Sequence, residues 1–352
     1  MPRRARFAVV GLVLIAACAG GSGDQQPSGR ASETAPSPTE SVFAGPTFRN
    51  PVYTINFPDP GVMKDDDTYY AYATTNGIEH VQTASSTDLV EWDPGPDALR
   101  QPPAWGTADI WAPEVWQTDA GYVMYYTIGD TNTRRPDIKA AQCISVGVAD
   151  SPEGPFVDAR ERPLVCQGEE GGSIDASPFQ DADGTRYLLW KNDGNCCNLP
   201  THIWIAPLTP DGLELAGEPI DTLAVSDAAW EGGVVEAPTL VLRDATYYLF
   251  FSASFFDSAS YAVGYATSEA VSGPYEDGVE NPILRTPDDP DPTDARGPGH
   301  QSIVEAPDGS TWVLYHAWDD DFSARSMWLD ELVWEEGRPR ILGPDDEEQP
   351  AP

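Results

Sequence analysis

Five short aromatic and β-branched stretches punctuate this chain: Tyr69-Tyr70-Ala71-Tyr72-Ala73, Tyr122-Val123-Met124-Tyr125-Tyr126, Arg186-Tyr187-Leu188-Leu189-Trp190, Tyr247-Tyr248-Leu249-Phe250-Phe251 and Trp312-Val313-Leu314-Tyr315-His316. Such runs read as strands. Their starting positions, Tyr69, Tyr122, Arg186, Tyr247 and Trp312, are close to evenly spaced. All five follow a turn containing Asp or Gly: Asp66-Asp67, Asp119-Ala120-Gly121, Asp183-Gly184, Asp308-Gly309 and, before the stretch at Tyr247, Asp244-Ala245. Upstream of each lies a second apolar run interrupted by a proline and a polar or ionisable residue: FPDPGV at 57–62, WAPEV at 111–115, IDASPF at 174–179, VEAPTL at 235–240 and GPGHQSIV at 297–304. Five units of about four short strands, with no long helical period, predict an all-β fold, a five-bladed β-propeller.

In a propeller the first strand of every blade lies at the axis, so its interrupting polar group faces a common funnel. Asp59, Asp175, Glu236 and His300 precede Tyr69, Arg186, Tyr247 and Trp312 by nearly the same offset, and are expected to converge. Glu114 stands closer to its second strand at Tyr122 and follows its proline, so it fits the series less well. A carboxylate within an apolar strand costs free energy unless it is paired or faces a wet cavity. Asp59, flanked by Phe57, Pro58 and Pro60, suits an ionised base. Glu236 has a longer reach and apolar neighbours, which are expected to raise its pKa and keep it protonated; Asp175 is placed to tune it. One ionised and one protonated carboxyl are what hydrolysis of a glycosidic bond requires.

These segments together resemble glycoside hydrolase family 43. FPDP, WAPEV, SIDASPF, WEGGVVEAPTL and GPGHQSIV occur in order, and the likeness covers about residues 46–342. The resemblance implies a five-bladed propeller and an inverting mechanism on α-L-arabinofuranosides or β-D-xylosides. It implies Asp59 as general base, Asp175 as the orienting and pKa-modulating acid, and Glu236 as general acid. It also implies that His300 sits at the axis, where some members hold a structural calcium ion (Ca2+) through water and a histidine; the chemistry itself requires no cofactor. An inverting pair is expected to stand about 6.5–9.5 Å apart, with room for a water. Aromatic rings stack on sugar faces, and Trp111 and Trp230 are the candidate platforms, with Glu231 and Arg325 as candidate partners for sugar hydroxyls.

The ends and the charge place the domain. Arg3, Arg4 and Arg6 precede an apolar run from Phe7 to Ala17, and Ile15-Ala16-Ala17-Cys18 resembles a lipoprotein lipobox. Residues 1–18 therefore read as a signal segment, too short to span a bilayer. The chain is expected to be exported, and either held on the outer face of the membrane through a lipidated Cys18 or secreted. Residues 19–45, rich in Gly, Ser, Pro and Thr, read as a disordered tether. The propeller is expected over 46–344 and a loose acidic tail over 345–352. The formal net charge is −37. It opposes binding to nucleic acid, and to anionic lipid by charge. Cys143, Cys166, Cys196 and Cys197 in an exported chain suggest a bridge across one blade and a vicinal bridge.

The expected activity is release of arabinose, or alternatively xylose, from plant-type polysaccharides or their oligomers. A reading of another class is a non-catalytic sugar-binding lipoprotein. The three acids separate the two, because a lectin has no use for a base and an acid spaced for attack by water. A fructan-cleaving propeller is disfavoured, since neither an Asn-Asp-Pro opening nor an Arg-Asp-Pro segment is present.

Overall fold

A computed structural model describes residues 43, 45–133 and 140–352. The signal segment and nearly all of the tether lie outside the described residues. The chain enters through a two-residue strand, β1 (Thr47–Phe48). Blade I follows as β2 (Gly61–Asp65), β3 (Thr68–Ala73), β4 (Gln82–Ser86) and β5 (Asp93–Pro94). Blade II is β6 (Gly106–Thr118), β7 (Gly121–Asp130) and β8 (Ala141–Ala149). In place of a fourth strand, Val157 makes a single bridge to Val148. Blade III is β9 (Ser173–Gln180), β10 (Arg186–Asn192), β11 (His202–Pro207) and β12 (Ile220–Ala224). Blade IV is β13 (Val235–Arg243), β14 (Thr246–Ala253), β15 (Ala262–Ser268), β16 (Glu276–Asp277) and β17 (Leu284–Arg285), the last two both pairing with β15. Blade V is β18 (Arg296–Glu305), β19 (Thr311–Trp318), β20 (Arg325–Glu335) and β21 (Arg338–Ile341). All pairings within the blades are antiparallel. The all-β, five-bladed propeller is therefore observed, and each aromatic stretch is a blade's second strand.

Those second strands are apolar on both faces because each serves two interfaces. Side chains alternate across a strand. On β7, Val123 and Tyr125 pack with Leu188 and Trp190 of blade III, while Met124 and Tyr126 pack with Tyr72 of blade I. On β14, Leu249 and Phe251 face Leu189 of blade III, whereas Phe250 faces Val313 and Tyr315 of blade V. Tyr72, Tyr125, Phe250 and Tyr315 are fully buried between blades. Burial of each such side chain contributes about 1.5–3 kcal/mol.

Closure of the ring corrects one expectation. The tail is not loose: β22 (Gln349–Pro350) pairs with β1, and Thr47 Oγ1 donates to Glu348 Oε1 at 2.7 Å. The segment after β1 then runs along β20. Tyr53 and Met327 exchange backbone hydrogen bonds, and the Phe57 N–H donates to the Arg325 carbonyl at 2.8 Å. Asn50 accepts from the Leu329 N–H and donates to its carbonyl, both at 2.8 Å. Both chain ends thus sew blade I to blade V, and the folded unit runs from Phe43 to Pro352. Both disulfides form: Cys143 to Cys166 beside blade II, and Cys196 to Cys197 in the short 3-10 turn after β10.

Asp330 lies buried inside this closure, with the Tyr315 hydroxyl donating to it at 2.5 Å and Asn50 Nδ2 at 3.4 Å. Burial pushes its carboxyl up to about 8. A raised carboxyl favours the fold fully at acid pH, and that contribution is lost as pH rises from the unfolded value near 4 through 8. Asp330→Asn is expected to flatten this decline, which is about 1.4 kcal/mol per pH unit for one such group. Denaturant melts of both proteins at pH 5 and pH 8.5 measure it; parallel losses in the two would contradict the assignment.

Candidate active site

On or just before the first strand of each blade stands one non-glycine residue in the left-handed region: Asp59 (φ 57°), Ala112 (44°), Asp175 (57°), Ala237 (51°) and His300 (54°). This conformation is rare for residues other than glycine and persists only where the surroundings hold it. Here the holding group is the neighbouring blade. The Ala112 N–H donates to Thr74 Oγ1 (3.0 Å), Asp175 N–H to Thr127 Oγ1 (3.3 Å), His300 N–H to Ser252 Oγ (2.8 Å) and Asp59 N–H to His316 Nδ1 (3.1 Å). The fifth, Ala237 N–H, donates to the Asp175 carboxylate itself at 3.1 Å. Where blades I, II and IV offer a hydroxyl at the end of the second strand, blade III has Lys191, a donor. Its Nζ reaches Glu236 Oε2 at 2.7 Å instead.

This ring turns Asp59, Asp175, Glu236 and His300, the four that the repeat brings together, into one pocket of about 430 Å³, which Trp111 and Arg325 also line. A larger cleft of about 680 Å³ beside Glu280, Arg338 and Arg340 lies on the outer strands and holds only surface ion pairs. Glu114 does not join the pocket. The ring position of its blade is Ala112, and Glu114 lines a separate recess with Lys64, Ser177, Thr239 and Ser302, where burial pushes it up to about 8.

The carboxyls differ through their partners. Asp59 is buried, which opposes its ionisation, yet the Arg325 guanidinium (Nη1 to Oδ1, 2.8 Å) outweighs this. With His300 adding to the effect, Asp59 is held well below the usual range. Its second oxygen accepts from Thr74 Oγ1 at 2.5 Å. His316 is itself held down to about 4 by burial and by Arg325, so its ring is neutral, consistent with Nδ1 accepting the Asp59 N–H. Burial pushes Asp175 up to about 6, with Glu236 and Asp59 opposing its charge and His300 and Lys191 favouring it. Burial likewise raises Asp193, on the pocket wall, to about 6.

Glu236 departs from expectation. Burial pushes it up, as foreseen from its apolar neighbours, but the buried Lys191 ammonium prevails and lowers it. The Tyr261 hydroxyl beside it favours the ionised form further, without completing a well-formed hydrogen bond. Of these two neighbouring carboxyls, Asp175 therefore holds a proton to higher pH and Glu236 ionises first.

Two predicted contacts are not made. Trp230 packs at a tilt against Phe251 (centroids 5.5 Å, planes 36° apart) and over Gly264, where no Cβ would fit, so it belongs to the core between blades III and IV. Glu231 is buried with both carboxylate oxygens taken by Ser226, its N–H and its hydroxyl, and braces the loop before β13. Conversely, Thr74, Lys191, Asp193, Asn195 and Phe256 line the pocket unforeseen, beside Cys196, which the sequence suggested for its rim. A signal existed for part of this set: Thr74, Thr127, Lys191 and Ser252 each close an aromatic stretch at the same polar position.

The donor set does not form a protein cage for calcium. Ca2+ takes six to eight oxygens, whereas His300 offers a ring whose Nδ1 already lies 3.5 Å from Asp59 Oδ1, itself bound by Arg325. Among the described residues, the one group of three His, Cys, Asp or Glu ligand atoms close together is Asp130 with Cys143 and Cys166, and those sulfurs are bridged.

Fold and site together define a propeller hydrolase with its acids at the axis. The model of glycosyl hydrolases family 43 matches residues 48–339, and the chain belongs to that family. It is 29% identical over 290 residues to a β-D-galactofuranosidase of Aspergillus niger, covering 76% of this chain and 75% of the relative. To the extracellular endo-α-(1->5)-L-arabinanase 1 of Bacillus subtilis it is 24% identical over 301 residues, covering 80% and 86%. A xylosidase/arabinosidase of Humicola insolens is 29% identical over 280 residues; the match spans 77% of this chain but only 49% of that relative. The solved structure of a thermostable family-43 glycoside hydrolase superposes with a TM-score of 0.78 at 32% identity, over 87% of this chain and 99% of the other.

Removing one member of a buried ion pair strands the other. Lys191→Met is expected to cost about 3–5 kcal/mol at neutral pH, and the double variant Lys191→Met/Glu236→Gln to recover a large part of it. Urea unfolding of the three proteins provides the comparison; equal stability of wild type and Lys191→Met would refute the pairing.

Proposed function

We propose that this chain is an inverting hydrolase of α-L-arabinofuranosyl linkages. The observation that carries the proposal is the meeting of Asp59, Asp175 and Glu236 in one pocket within the family span. Asp59, held ionised, takes a proton from a water. That oxygen bonds to the anomeric carbon as the glycosidic C–O bond breaks on the opposite face. Glu236 delivers the compensating proton to the leaving oxygen. Asp175, whose carboxyl burial pushes up, supplies that proton to Glu236 as substrate excludes water. Trp111 and Arg325 orient the sugar. His300 lies with its Nδ1 3.5 Å from Asp59 Oδ1, and a calcium ion there, held largely by water, would be structural; metal analysis of the purified chain tests this.

Furanoside chemistry is favoured because the galactofuranosidase and an extracellular exo-α-(1->5)-L-arabinofuranosidase of Streptomyces avermitilis are both named for five-membered sugar rings. A β-D-xyloside is the second reading, supported by the relative named for both sugars. The substrates are arabinose- or xylose-containing polysaccharides and their oligomers. We propose export to the cell exterior, in line with relatives named extracellular, with lipid attachment at Cys18 as its finer form.

Asp59→Asn and Glu236→Gln are each expected to lower turnover of arabinan and of p-nitrophenyl α-L-arabinofuranoside by about 10²–10⁴-fold. Full activity in either variant removes its residue from the mechanism, and NMR of the first product anomer decides inversion. The wild-type rate is expected to fall as pH rises through about 6, where the Asp175 carboxyl gives up its proton. Activity sustained unchanged to pH 8 would disprove the supply of a proton from Asp175.

A further inference from the structure

One wall of the pocket continues outward as an aromatic surface. Phe256 lines the pocket, yet is 45% exposed; Phe255 is 48% and Phe322 36% exposed. Trp318 packs against Phe322 with centroids 5.7 Å apart, and its indole Nε1 donates to the Phe256 carbonyl at 2.7 Å. That bond latches the loop after β14 to the loop after β19. Arg325 lies against both rings, 5.0 Å from the centre of Phe256 and 5.3 Å from that of Trp318, while its Nη1 holds Asp59. Phe322 is kept in the left-handed region (φ 53°), a strained state for a bulky residue. Its amide donates to the Asp319 carbonyl, and Ser323 is bonded to the Asp319 carboxylate, which fixes the turn. Leaving these rings in water is unfavourable, and grouped apolar exposure on a soluble domain marks a binding surface.

We propose that Phe255, Phe256, Trp318 and Phe322 form a second carbohydrate-binding surface, which carries the neutral pentose chain beyond the sugar held in the pocket. The proposal rests on the glycosidase reading above and extends it to the substrate's length. A pocket of about 430 Å³ is at the small end for ligand sites, so a longer glycan must leave across a wall. The Asp193–Cys196 wall carries an acid, an amide and a disulfide, whereas the wall of blades IV and V offers ring faces that match the C–H faces of sugars. A net charge of −37 disfavours glycans bearing uronic acids.

The test uses the full chain and the double variant Phe255→Ala/Phe322→Ala, neither residue being part of the pocket lining. Substrates are the disaccharide and hexasaccharide of the α-1,5-arabinan and β-1,4-xylan series. In the wild type the hexasaccharide KM is expected to lie about ten-fold below the disaccharide KM, a gain of the size that burying two ring faces supplies. The variant should lose that gain, with kcat and the disaccharide KM unchanged within about two-fold on the same burial argument. A length advantage that survives in the variant, or is missing in the wild type, overturns the proposal. If the wild type hydrolyses neither series, the glycosidase reading fails by itself, and calorimetric titration of hexasaccharide then judges the surface. Weaker binding by the variant upholds it; equal or absent binding rejects it. A wild-type dimer that dissociates in the variant while hexasaccharide KM stays fixed would assign the patch to self-association and also reject it.

Discussion

Five backbone N–H groups point into the axis of this molecule, one from the left-handed non-glycine residue on or just before each first strand, and all five are caught from an adjacent blade. A buried N–H without a partner costs about 1–3 kcal/mol. The ring is therefore a condition of the fold, and it also aims the side chains of Asp59, Asp175 and His300 at a common point. Architecture and candidate chemistry share one set of bonds. Because each catch is made between blades, distortion of one interface is felt at the next acid round the ring.

Chemistry enters where the ring is irregular. Between blades III and IV the usual hydroxyl is replaced by Lys191, so the Ala237 amide falls to the Asp175 carboxylate and the ammonium to Glu236. Two carboxyls are thereby drawn together around one buried cation, and they cannot both stay ionised at equal cost. Across the pocket, Asp59 has Arg325 for itself, with a neutral His316 beneath it. A strongly acidic protein thus places two of its few cations, Lys191 and Arg325, against the acids that have to differ. The same Arg325 rests on Phe256 and Trp318, which joins the charge state of Asp59 to the aromatic wall.

The aromatic stretches, their turns and their spacing made the propeller legible without coordinates, and the polar interruptions of the first strands marked Asp59, Asp175, Glu236 and His300. Alignment on the second strand nevertheless missed the ring position of blade IV, where the left-handed residue is Ala237 and not its neighbour Glu236. Spacing along the chain takes no account of the irregular pairing between Glu236 and Thr239. Trp230 lies near an acid in sequence, but a chain that turns sharply before β13 sends it into the interblade core and makes Glu231 a loop brace. The tail looked loose because its composition is charged; its pairing partner, β1, lies at the opposite end of the propeller sequence.

By itself the sequence determined the blade count, the alternation that buries both faces of each second strand, and which acids approach the axis. These are properties of neighbouring residues, repeated from blade to blade, and periodicity is visible along a chain. Only the tertiary structure decided which acid is ionised, because Lys191 meets Glu236 and Arg325 meets Asp59 across long stretches of intervening chain. Electrostatic energy depends on distance in space and on burial, and neither quantity is carried by position in the chain.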